Sequence, residues 1–203
     1  MSKIKQYIQL YGLWNTLLRI FKSLLKKVFH FTWEKGYLLA RTQQDVIPLA
    51  EPNGFSVKQL EQNDLFGDRH WQEYVQGSKD FLVQCFASDY AKAYGAYVDG
   101  RLAYVTWTLY NFIELNGELI PAKGVATEWN VYCLPEFRGR GIHSFVKAWT
   151  VNEMLRNGAH KCCSITLAYN RPALRAQYKL GFSIKKTFYI VNYGKKKCFK
   201  WIH

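Results

Sequence analysis

Apolar residues recur at Ile4, Tyr7, Ile8, Tyr11, Trp14, Leu18, Phe21, Leu25 and Val28, the spacing of one helical face. Leu10, Leu17, Leu24 and Phe29 widen the stripe, while Lys5, Arg19, Lys22, Lys26 and Lys27 fall on the other side. The pattern predicts an amphipathic, basic helical extension over residues 1–50, ending where Pro48, Pro52, Asn53 and Gly54 break the chain. Beyond the break the period changes. Phe55–Leu60 alternates as a short strand, and residues 61–90 mix polar with aromatic positions as one or two short helices. Tyr94–Val98 and Leu102–Leu109 flank Asp99-Gly100, a pair that tolerates positive φ and marks a hairpin. Asn116-Gly117 predicts a further turn, Thr127–Leu134 a strand, and Ile142–Asn157 a helix stopped at Asn157-Gly158. Cys162–Ala168 follows as a strand and Pro172–Leu180 as a helix capped by Gly181. Phe188–Tyr193 and Cys198–Ile202 make a closing hairpin around Gly194. The order is that of an α/β domain with a mixed sheet over residues 51–203.

Composition narrows this picture. With 49% apolar and 17% aromatic residues in 203, the chain is no disordered or low-complexity segment. The net charge of +13 is concentrated at the ends. Residues 1–35 carry seven basic side chains against Glu34, and residues 185–203 carry six against none. Five cysteines without a C-x-x-C spacing argue for reduced thiols rather than a disulfide framework, and no metal site is expected. The first thirty residues lack a cleavage site and are broken by Arg19, Lys22, Lys26 and Lys27, so neither a signal peptide nor a membrane span is expected.

The chemistry lies between the strand at 127–134 and the helix from Ile142. There Pro135-Glu136-Phe137-Arg138-Gly139-Arg140-Gly141-Ile142-His143 makes a glycine-rich, arginine-bearing turn. Glycines let successive amides face an anion, and a helix N-terminus adds about half a positive charge. This is neither the dinucleotide fingerprint nor a Walker loop. A second segment follows after one helix and one strand: Asn170-Arg171-Pro172-Ala173-Leu174-Arg175-Ala176-Gln177-Tyr178-Lys179-Leu180-Gly181-Phe182.

In this order and spacing the two segments resemble the GNAT family of acyl-CoA-dependent N-acyltransferases, over roughly residues 55–203. The resemblance implies a splayed mixed sheet of about seven strands flanked by helices. It implies acetyl-CoA or another acyl-CoA as co-substrate. Val131, Tyr132 and Cys133 would pair with the pantetheine arm as an added strand. Arg138, Gly139, Arg140, Gly141, Ile142 and His143 would hold the pyrophosphate, and Asn170 would touch the pantetheine. His143 stands where the family keeps a small residue; it adds a donor to a phosphate or faces solvent. Where many members place a Tyr as general acid, seven residues after the motif Asn, this chain has Gln177. Tyr178, the candidate acid, is turned ~100° around the helix. Glu128 is the candidate general base, as the carboxylate early in the strand that leads to the loop. Strand alternation groups it with Asn130 and Tyr132, opposite Thr127, Trp129, Val131 and Cys133, so only a bulge would turn it inward.

The expected activity is direct transfer of an acyl group, most simply acetyl, to an amine acceptor such as an amino sugar or cell-envelope precursor. The alternatives are a membrane-associated CoA-binding module without chemistry and a protein- or RNA-directed acetyltransferase docking through Lys195–Lys197. For residues 1–30 two partners stay open: an anionic membrane, with a cytoplasmic protein peripheral at its inner face, or protein packing, including a homodimer. Nucleic acid is disfavoured because no binding motif surrounds the basic residues.

Overall fold

Turn chemistry fixes the central hairpin. Asp99 and Gly100 both take positive φ, +49° and +76°, and join β3 (Ala91–Val98) to β4 (Arg101–Leu115) in a two-residue turn. The computed structural model describes residues 13–29, 31–50, 54–76, 78–115, 118–193 and 196–202. The Asn116-Gly117 and Gly194 turns and the helical positions before Leu13 lie outside them.

The chain forms two compact units, one of Thr42–Cys163 and one of Met1–Arg41 with Ser164–His203. In the first, β2 (Ser56–Gln59), β3, β4 and β5 (Glu118–Cys133) form an antiparallel sheet in chain order. Its short helices are α2 (Gln62–Phe66), α3 (Gln72–Gln76) and α4 (Lys79–Ala87). The long α5 (Ile142–Arg156) follows a 3-10 turn at Pro135–Phe137. Leu65, Trp71, Leu82, Cys85, Trp107 and Val146 are fully enclosed in its core. Asn152 of α5 holds the strap at 42–50 by both amide atoms, accepting from the Ile47 N–H at 2.8 Å and donating to the Ile47 carbonyl at 2.9 Å.

The second unit contains α1 (Leu13–Phe29), β1 (Phe31–Arg41), α6 (Arg171–Lys179), β7 (Ser183–Tyr193) and β8 (Lys196–Ile202). The end of β6 (Lys161–Leu167) belongs to it, in the sheet order β6–β1–β7–β8. The described residues thus form eight strands, where the resemblance implies about seven. The expectation of a helical extension through residue 50 is corrected here. The helix stops at Phe29, and Phe31–Arg41 is a strand paired antiparallel with β7. A domain boundary at residue 50 therefore cuts β1 away from the sheet to which it belongs. Gly36 shows why this register is specific. It stands opposite Phe188, whose ring carbons occupy the space that a Cβ on Gly36 would fill.

Candidate active site

The decisive local feature of β5 is one extra residue. Trp129 pairs with Trp107 and Tyr132 with Val105, so Asn130 and Val131 together oppose Thr106. Asn130 takes φ +48°, a left-handed conformation that Asn accepts more readily than other side chains. The hydroxyl of Tyr74 donates to the Asn130 carbonyl at 2.9 Å and pins this bulge. The extra residue inverts the alternation that follows. Trp129 packs on Phe81 at 5.2 Å, and Tyr132 on Trp71 and Tyr74 at 5.7 Å each, so both face the helical segment 69–87. The sequence-based grouping of Glu128 with Tyr132 fails for this reason. Glu128 faces α5, opposite Trp129 and Tyr132.

Beyond β5, Phe137 is buried and anchors the turn. Arg138 donates from Nε to the Cys133 carbonyl at 3.0 Å. Gly139 and Gly141 take φ +84° and +78°, conformations that other residues adopt only with strain, and no atom lies within 4 Å of where their Cβ atoms would be. The loop therefore leaves open space over its backbone. Gly141 caps α5, whose first intrahelical bond is Phe145 N–H to the Gly141 carbonyl at 3.2 Å. The amides before Phe145 have no intrahelical acceptor. Three guanidiniums gather here: Arg101 and Arg140 at 5.2 and 5.3 Å from the Phe137 ring, and Arg138 at 5.7 Å from the Tyr132 ring. Arg101 also bonds Glu136 at 3.2 Å. It was invisible as a site residue in the sequence, since it opens β4 in a different hairpin.

Beneath the loop lies a buried polar layer. Glu128 and the Nζ of Lys147 form an ion pair with side chains 4% and 1% exposed. One turn earlier on α5, His143 Nδ1 is 2.9 Å from the Tyr104 hydroxyl. His143 is half-buried and turned into the protein, not toward solvent, and its Nε2 is shielded without a hydrogen-bond partner. Burial pushes its pKa down, Lys147 adds to this and Glu128 opposes it, so the ring is neutral at neutral pH. Burial raises the Tyr104 phenol well above its ordinary value. Glu128, the candidate base, is an enclosed carboxylate held by Lys147.

In the other unit, α6 starts where the motif places it. Asn170 caps the helix, its Oδ1 accepting from the Ala173 N–H at 3.4 Å. Gln177 is buried and donates to the hydroxyls of Ser164 and Thr166 at 2.8 and 2.7 Å. Tyr178 is 48% exposed on the outer side. The helix start is not displaced, so Tyr178 and Gln177 point in different directions.

Comparison with solved structures places the architecture. A GNAT-family acetyltransferase description accompanies a Novosphingobium aromaticivorans structure at TM-score 0.54 and 18% identity, covering 86% of this chain and 79% of that one. A fungal region called a GCN5-related glucosamine N-acetyltransferase matches at TM-score 0.61 and 13% identity. It aligns with 88% of this chain, which spans 23% of that multi-domain protein. AAC(6')-Iy, in complex with the bisubstrate analogue CoA-S-monomethyl-acetylneamine, matches at TM-score 0.50 and 20% identity, over 72% of this chain and 100% of that one. The fold is that of the GNAT acetyltransferases. At these identities the likeness is one of fold. No protein-family model and no curated protein matches the sequence.

Coenzyme A, the ligand that a GNAT fold implies, fits the residues present. The unfilled space over Gly139 and Gly141, the free first-turn amides and the three arginines form a donor set suited to a diphosphate. The cavities of about 210 Å³ beside Lys92 and Asn157, and about 510 Å³ between Leu65 and Lys79, are lined by no residue of this loop. The turn itself is an open cradle.

Proposed function

We propose that the chain is an acyl-CoA-dependent N-acyltransferase that carries acetyl to the amine of an amino sugar. The observation that carries this reading is the turn at Arg138–His143, with two left-handed glycines, open backbone and arginines at the start of α5. When bound, acyl-CoA would supply an acyl thioester: the neutral amine forms the C–N bond as the C–S bond breaks, and the proton it loses ends on the CoA thiolate, giving amide and thiol. An ammonium acceptor first gives one proton to solvent. The amides of Arg138 to His143 and the guanidiniums of Arg138, Arg140 and Arg101 hold the diphosphate. Val131 lies in the bulge, Tyr132 and Cys133 pair again with Val105 and Tyr104 of β4, and the three offer backbone groups to an extended amide arm. A backbone N–H near Tyr132 or Cys133 meets the developing oxyanion. In its own unit, Asn170 has its side-chain oxygen committed to its helix cap and keeps its amide nitrogen as a donor. The amino-sugar choice is supported by the acetylneamine analogue and the glucosamine activity named for two solved structures of this fold.

Lys147 holds Glu128, and Tyr178 points outward, which favours one second reading: a CoA-binding module without catalysis. Two measurements separate the readings. Acetyl-CoA, but not adenosine, raises the unfolding temperature under both; absence of that rise overturns both. Release of CoA thiol in the presence of glucosamine or neamine supports the transferase, and binding without release leaves the module.

A further inference from the structure

α1 packs against its own unit with the wrong side. Thr16 is 5% exposed, and Lys22 bonds the Trp33 carbonyl and Glu34 of β1, with its ammonium 4.7 Å from the Trp33 ring. The helix is therefore held through polar side chains, Thr16 and Lys22. Leu13, Trp14, Leu17, Leu18, Ile20, Phe21 and Leu24 all point to solvent, and Trp14 is 83% exposed. Together they present on the order of 700 Å² of apolar surface, more than a monomer ordinarily leaves in one patch. The same unit holds seventeen Lys and Arg with Glu34 as its one acidic residue, a formal charge of +16, and Glu34 is already paired with Lys22.

From these two observations we infer that α1 lies in the headgroup layer of an anionic membrane, its apolar face in the acyl boundary. Charge chooses the occupant. A second copy would bring two surfaces of +16 together, and a nucleic acid would leave the leucines and Trp14 uncovered. An anionic bilayer satisfies both features: apolar side chains enter the interface and each nearby Lys or Arg gains from the surface potential. Among the described residues no helix is long and apolar enough to cross a membrane, so α1 lies in the plane. This inference does not rest on the proposed reaction.

The test is flotation of the full chain with phosphatidylcholine vesicles, with and without about a third phosphatidylglycerol. Binding is expected to the anionic vesicles, falling as salt is raised. Trp14→Glu with Phe21→Glu, both at solvent-facing sites, should reduce it about tenfold or more. Lys26→Glu should reduce it less. Unchanged secondary structure by circular dichroism makes the loss one of docking. No binding to anionic vesicles overturns the inference. So does equal binding by the double variant, because charge alone then suffices. A concentration-dependent dimer that the double variant converts to monomer overturns it in favour of a second copy.

Discussion

Lys147→Met tests the buried layer beneath the loop. The substitution keeps most of the apolar stem and removes the ammonium that faces Glu128. The carboxylate is then left with 4% of its side chain exposed and its charged partner gone. Breaking such a pair from one side costs about 3–5 kcal/mol, whereas exchanging both members for neutral groups is close to neutral. In a chain of this size each kcal/mol is worth about 2–4 °C, so the single variant should melt about 10 °C lower. Glu128→Gln with Lys147→Met should recover to within about 1 kcal/mol of the parent.

Urea unfolding of the four proteins of this cycle, followed by tryptophan fluorescence, gives a coupling energy of at least about 2 kcal/mol on this account. A loss below about 1 kcal/mol in Lys147→Met, or a double variant no better than the sum of the singles, would refute it. Turnover adds a second axis. If Glu128 took the proton from the acceptor amine, Glu128→Gln would abolish thiol release, and Lys147→Met could not restore it. If Glu128 is structural, activity follows the folded fraction across the cycle.

Gly141→Ala places a side chain at φ +78°, costing about 1–2 kcal/mol in unfolding; it should also weaken CoA binding by calorimetry about tenfold or more, and unchanged affinity would remove the loop from the cofactor site. Gly36→Ala should destabilise by about 1–3 kcal/mol in urea, because its Cβ meets the Phe188 ring across β1 and β7; a neutral effect would deny that pairing. His143 has its pKa lowered by burial, so the unfolded chain binds its proton more readily. The stability that His143 contributes is then present above the ordinary imidazole value of ~6.5 and lost as pH falls through the lowered one. Urea titrations across that window should show a flatter profile in His143→Gln, and an identical slope would contradict the inward placement.

The features legible in the sequence are those set by neighbours along the chain. Asp99-Gly100 adopts the two positive φ angles that its residue types permit. The glycines of the loop and Asn170 at the start of α6 are likewise local devices of backbone conformation and capping. β1 is of another kind. Its partner strand lies about 150 residues away, and an aromatic-rich segment directly after an amphipathic helix continues that helix by composition alone. Its ladder with β7, with Phe188 opposite Gly36, fixes it as a strand. A local signal for the bulge existed in Asn130, a residue that accepts left-handed backbone within a run otherwise rich in strand formers.

That single inserted residue explains why the cofactor site and the acid–base chemistry differ so much in legibility. A diphosphate cradle is built from amides and glycines, which face the ligand whatever frame the neighbouring side chains are in. A general base is a side chain, and in a strand each residue of slippage reverses its face. Counting alternation through Asn130 assigns Tyr132 to the side of Glu128, whereas the bulge returns Tyr132 to the side of Trp129 and leaves Glu128 facing Lys147. The same dependence governs α6, where one position, ~100° of helix, separates the buried amide of Gln177 from the outward phenol of Tyr178. The proposed transfer therefore predicts that variants on the side of β5 facing Phe81, such as Trp129→Phe, lower turnover more than CoA affinity; equal losses in both would refute it.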